Sequence, residues 1–68
     1  MATATEILDW GKRLSHARKA RLMAFHRNDT VAFAKAAHDI QTVISEAMEG
    51  LQTDECHAVN IITAVWNE

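Results

Sequence analysis

Apolar residues recur along the chain at three- and four-residue intervals, the spacing that places them on one side of an α-helix. The pattern is cleanest downstream of Thr30. There Phe33, Ala36, Ala37, Ile40, Val43, Ile44, Ala47 and Leu51 form one stripe, opposite Lys35, Thr42, Ser45, Glu46 and Glu49. Upstream, Ile7, Trp10, Leu14, Ala17, Ala24 and Phe25 form a second stripe. No alternating β-branched run interrupts them, there is no proline, and helix-forming residues dominate, so the pattern predicts an all-α fold.

Local signals set the boundaries. Thr3 followed by Glu6 has the spacing of a capping box and opens a first helix over about 4–27. Glu6 and Asp9 suit the positive end of its dipole, and basic residues lie toward the negative end. Asn28-Asp29 ends it: asparagine tolerates the left-handed conformation, and Asp29 or Thr30 can cap a second helix over about 30–49. So short a connection makes the two an antiparallel helical hairpin. If both helices rise equally from the turn, Leu14 faces Val43, Ala17 faces Ile40, Trp10 faces Ala47 and Phe25 faces Phe33.

Beyond the hairpin two readings stand. Gly50 reads as a helix stop and Thr53-Asp54-Glu55 as a new start, which gives a short third helix over about 54–66 with Ala58, Ile61, Ile62 and Val65 on its apolar face. Yet Ala37, Ile44, Leu51, Ala58 and Val65 keep heptad spacing across the glycine, and one glycine costs a helix only about 1 kcal/mol. A continuous long second helix, overhanging the first, therefore stays open beside the preferred break.

Length changes the picture next. Sixty-eight residues make a single all-α domain, 1–68, and a domain of that size buries only about 60% of its unfolded surface. The composition is 49% hydrophobic, but 12 residues are alanine, which permits close helix approach and adds little buried area. Cys56 is the lone cysteine, so no intramolecular disulfide can reinforce the fold, and a lone thiol suits a reducing cytoplasm. Oligomerisation is the remaining remedy. A homodimeric helical bundle is expected, with Trp10, Leu14, Phe25, Phe33, Ile40, Ile44, Leu51, Ile61 and Val65 as core or dimer positions. Residues Met1 to Asp9 lack the features of a signal peptide, and no apolar run approaches the length of a membrane span. The expected location is cytoplasmic, without membrane contact.

The net charge of −2 conceals a strong asymmetry. Lys12, Arg13, Arg18, Lys19, Arg21 and Arg27 fall within a stretch that contains no acid. From Asp29 onward, Asp29, Asp39, Glu46, Glu49, Asp54, Glu55 and Glu68 stand against Lys35 alone. Lys12, Lys19 and His26 recur at heptad spacing on the outer face, whereas Arg18 and Arg21 point into the sector of Ile7, Leu14 and Phe25. An arginine there either pairs with an acid or belongs to a binding patch. The hairpin register sets Arg18 opposite Asp39, so an interhelical ion pair is the plain structural explanation, worth about 0–1 kcal/mol near the surface. Leu8, Leu22, Met23 and Trp66 lie outside or at the edge of the core stripes, where a dimer or a partner would cover them.

Candidate chemistry adds little. His16, His26, His38 and His57 lack His-x₃-His spacing, Cys56 lacks a Cys-x-x-Cys partner, and adjacent Cys56 and His57 point about 100° apart on a helix. There is no Gly-rich phosphate loop and no serine elbow, and short helices offer little concavity for a Cys–His nucleophile. Neither a cofactor, a metal, a small-molecule substrate nor a catalytic role is expected. An isoelectric point near 6.0 and the absence of aromatic residues set among the arginines for stacking speak against nucleic acid as first partner.

In size and style the chain resembles the small helical-hairpin dimers that bacteria, plasmids and phages use as adaptors or inhibitors. The resemblance is one of architecture and transfers no residues. The expected function is protein–protein interaction, as a regulator or inhibitor that meets an acidic surface through Lys12, Arg13, Arg18, Lys19, Arg21, Leu22 and Arg27. The alternatives are RNA or DNA binding by paired basic first helices in a dimer, and a purely structural assembly subunit.

Overall fold

A computed structural model describes residues 3–66, which form three α-helices with no strand among them. Met1, Ala2, Asn67 and Glu68 lie outside the described residues, Glu68 being one of the acids counted above. The helices are α1 (Ala4–His26), α2 (Thr30–Leu51) and α3 (Glu55–Trp66).

Side chains close in sequence define the ends. At the start of α1 the Thr3 hydroxyl accepts the Glu6 N–H at 3.2 Å, and the Glu6 carboxylate reaches back to the Thr3 N–H. The chain leaves α1 through Asn28, whose φ of 58° is left-handed, while the Asp29 N–H returns to the Ala24 carbonyl at 2.9 Å. Asp29 then caps α2 by accepting the Ala32 N–H at 3.1 Å. Asp54 does the same for α3, accepting the His57 N–H at 2.9 Å. Each cap satisfies a donor that the first turn of a helix leaves unpaired.

The second helix does break, but not at the glycine. Gly50 is helical, and α2 closes on Gln52, which adopts the left-handed conformation with φ 52°. The Thr53 N–H donates back to the Met48 carbonyl at 3.1 Å, completing the stop. Gly50 serves packing instead. A Cβ there would lie 2.6 Å from Cη2 and 2.9 Å from Cζ2 of Trp10, so the missing side chain leaves the notch in which the indole sits. A second tryptophan uses a glycine in the same way, since Trp66 of α3 lies 3.0 Å from the place of a Cβ on Gly11 of α1.

The core is small and close-packed. Ala47 and Ala58 are fully buried, surrounded by Trp10, Leu14, Ala17, Ile40, Val43 and Ile62, with Ile7, Ile44, Met48 and Leu51 half-buried against them. Contacts between α1 and α2 join early positions of one to late positions of the other: Trp10 meets Gly50 and Arg13 meets Glu46, while Phe25 and Phe33 flank the turn. α3 lies against both, with Ile62 and Trp66 over Gly11. At 1.5 Å per residue the 23 residues of α1 span about 34 Å and the 12 of α3 about 18 Å, so α3 covers only part of the α1–α2 seam.

Candidate functional site: an open seam beside the turn

Burial along α1 changes where α3 ends. Two stripes of α1 face the seam at heptad spacing: Ile7, Leu14 and Arg21, and Gly11, Arg18 and Phe25. Within the lower half Gly11 and Leu14 are buried and Ile7 half-buried. In the upper half Arg18, Arg21 and Phe25 are all exposed, Phe25 by 66%. On α2 the matching stripe passes from half-buried Leu51, Ile44 and Ala37 to Phe33, which is 39% exposed. The boundary is marked by Trp66, the last residue of α3, which shares a groove of about 290 Å³ with Gly11, Leu14, Ser15, Arg18, Ile62 and Thr63. At the top of the seam a second groove of about 310 Å³ is lined by Ala24, Phe25, Asn28, Asp29, Thr30 and Phe33. From Arg18 to His26 the seam has about 12 Å of length with no helix laid over it.

The seven residues singled out on α1 and its C-cap, Arg27, are all exposed, but they do not share one face. Arg18, Arg21 and Leu22 come together with Phe25 along the open seam. Lys12 and Lys19 lie on the outer side of the helix, and Arg13 and Arg27 lie on the stripe that passes Ala20. Of the core or dimer positions, Trp10, Leu14 and Ile40 are buried within the chain. Ile44, Leu51 and Val65 are half-buried, and Phe25, Phe33 and Ile61 are exposed.

The ion pair falls to a different arginine from the one the hairpin register named. Arg13 donates to Glu46 at 2.6 Å and lies 3.9 Å from Asp9, whereas Arg18 and Asp39 form no pair. The reason is the tilt of side chains toward the N-terminus of their own helix. On α1 that tilt carries a side chain away from the turn, and on α2 toward it. Level residues such as Arg18 and Asp39 therefore diverge, while Arg13 and Glu46, offset along the two helices, converge. The same offset takes the Trp10 ring past Ala47 to Gly50. Arg18 in addition faces the α3 side of the seam, while Asp39 lines the opposite groove with Arg13, His16 and Thr42.

The consequence is electrostatic. Lys12, Arg18, Lys19, Arg21 and Arg27 make no ion pair among the described residues. Exposed apolar side chains stand among them: Leu22 at 57% near Phe25 and Met23 on the outer side, with Val31 at 79% across the turn. Val31 was not marked by the hydrophobic pattern, because it lies opposite the stripe of Phe33 and Ile40; a β-branched apolar residue on the polar face of a helix is the signal that singles it out. Elsewhere, Asp54 has its carboxyl held below the ordinary aspartate range, first by the hydrogen bond from the His57 N–H and then by the His57 ring, whose Nδ1 lies 2.8 Å away. Cys56 is exposed. Among the described residues no group of three His, Cys, Asp or Glu side chains is placed to hold a metal ion, and no helix is long and apolar enough to cross a membrane.

No protein-family model, no curated protein and no solved structure matches the chain.

Proposed function

We propose that the chain is a non-enzymatic protein-binding module, which receives an acidic surface of a heterologous protein on α1 and acts as a regulator or inhibitor. The observation that carries this reading is the run of five cations without an ion pair among the described residues, interleaved with exposed Leu22, Met23 and Phe25. Arginine beside large apolar side chains is the composition of interface centres, where the apolar groups are desolvated and the guanidinium provides directional bonds. A phosphate backbone would engage the cations and leave Leu22, Met23 and Val31 in water, so the apolar members favour a protein surface. The expected homodimer belongs to the same proposal, with exposed Ile61 and Trp66 on α3 as candidates for its interface.

The test is co-purification from a lysate of the producing cell, with and without nuclease, using the tagged wild-type chain and R18A/R21A, with light scattering for the oligomeric state. A stoichiometric protein band that resists nuclease and is lost with R18A/R21A, while the helical circular dichroism is retained, supports the reading. A signal abolished by nuclease transfers α1 to the runner-up, RNA or DNA binding.

A further inference from the structure

The geometry points to an acidic amphipathic helix, two to three turns long, as the element that the partner lays along the open α1–α2 seam, continuing the lane that α3 occupies below. This inference rests on the proposed protein-binding function and adds the shape, charge and seat of the ligand.

Three observations converge on it. First, the lane is already a helix-binding lane. α3 fills its lower part by setting Ile62 and Trp66 against Gly11, and the same stripes of α1 and α2 continue upward as Phe25 and Phe33. Two helices packed side by side form a groove that a third fits with its own apolar stripe, as α3 demonstrates within this chain. Second, the open length suits a short helix: about 12 Å from Arg18 to His26 is eight residues of α-helix, and the groove between Phe25 and Phe33 extends it to the turn. An entering helix would therefore present apolar residues at i, i+3 or i+4, and i+7, the helix-in-groove mode of recognition. Third, along α1 from Arg18 to His26 the charge has one sign, and Asp29 at the turn is engaged in capping α2. Arg18 stands at the α3 end and Arg21 one turn above it, neither with an ion pair among the described residues. Carboxylates flanking the apolar stripe of the ligand would meet both guanidinium groups, each able to take a carboxylate in bidentate fashion. A second copy of the chain is disfavoured in this seat, since a two-fold axis through the lane would bring Arg18 and Arg21 of both copies together.

The experiment selects ligands for the intact chain from a displayed library of random 16-residue peptides, then titrates the best peptide by Trp fluorescence and circular dichroism. Expected are sequences with apolar residues at helical spacing flanked by Asp or Glu, and a gain of helicity on binding. R18E/R21E should weaken the peptide at least tenfold, K35E on the outer face of α2 should leave it within threefold, and changing the peptide's acids to lysine should restore binding to R18E/R21E. Three results would overturn the inference: selected peptides without acids or helical spacing, affinity indifferent to R18E/R21E, or a dimer that R18E/R21E dissolves. If peptides fail in these ways while capture of the lysate protein still requires Arg18 and Arg21, only the helical ligand is refuted and the protein-binding function stands.

Discussion

Replacing each glycine by alanine separates packing from helix propensity, because both glycines are helical and both lie under a tryptophan. An interior Gly→Ala change ordinarily stabilises a helix by about 0.5–1 kcal/mol. At Gly50 the new methyl would stand 2.6 and 2.9 Å from two ring carbons of Trp10, against the roughly 3.5–4 Å of an ordinary carbon contact. The indole must therefore move by about 1 Å, and it is buried in the core among Leu14, Val43 and Ala47. Overpacking of this kind costs about 1–3 kcal/mol. Net of the propensity gain, G50A should lose up to about 2.5 kcal/mol, and contacts as short as 2.6 Å place it toward the upper part of that range, which in a domain of this size lowers Tm by roughly 5–15 °C. At Gly11 the nearest atom is 3.0 Å away and belongs to Trp66, exposed and at the end of its helix, so the ring can yield. G11A should accordingly lie between neutral and about 0.5 kcal/mol more stable. Urea and thermal unfolding followed by circular dichroism measure both. Introducing W10F, whose smaller ring vacates the notch, should turn G50A from a loss into a gain. A stabilising G50A in the wild-type background, or an equal loss in the W10F background, would refute the notch.

Burial along α1 predicts a second contrast. L14A, at a position 3% exposed, should cost about 2–4 kcal/mol, while F25A should stay within about 0.5 kcal/mol by urea unfolding because that ring is already largely in water. D29A removes the cap on Ala32 and should cost about 1 kcal/mol, with D29N restoring most of it. For pH, Asp54 has its folded carboxyl below the ordinary 3.8, so its contribution is complete above that value and is lost as pH falls through the lowered one. D54N retains a cap but not the titration, so its urea midpoint should fall less than that of wild type between pH 5 and pH 2.5; an equal fall would contradict the assignment.

Legibility followed distance along the chain. The capping box at Thr3 and Glu6, the left-handed Asn28 and the Asp29 cap were readable because each is the conformation of one residue or a bond between neighbours three residues apart. Heptad spacing across Gly50 could not distinguish one long helix from two, since the same stripe serves both, and the stop at Gln52 carries no glycine to announce it. The sector of α1 that holds Arg18 and Arg21 was also visible, yet the sequence could not say that they remain exposed. That depends on where α3 runs out of length.

By itself, then, the sequence determined the all-α content, the caps and the charge asymmetry, because periodicity and short-range hydrogen bonds are properties of adjacent residues. Only the tertiary structure decided which arginine meets an acid, why position 50 is glycine, and which part of the seam stays open. Those outcomes depend on side-chain tilt and on the relative lengths of helices far apart in the chain, where an offset of one turn exchanges one partner for another.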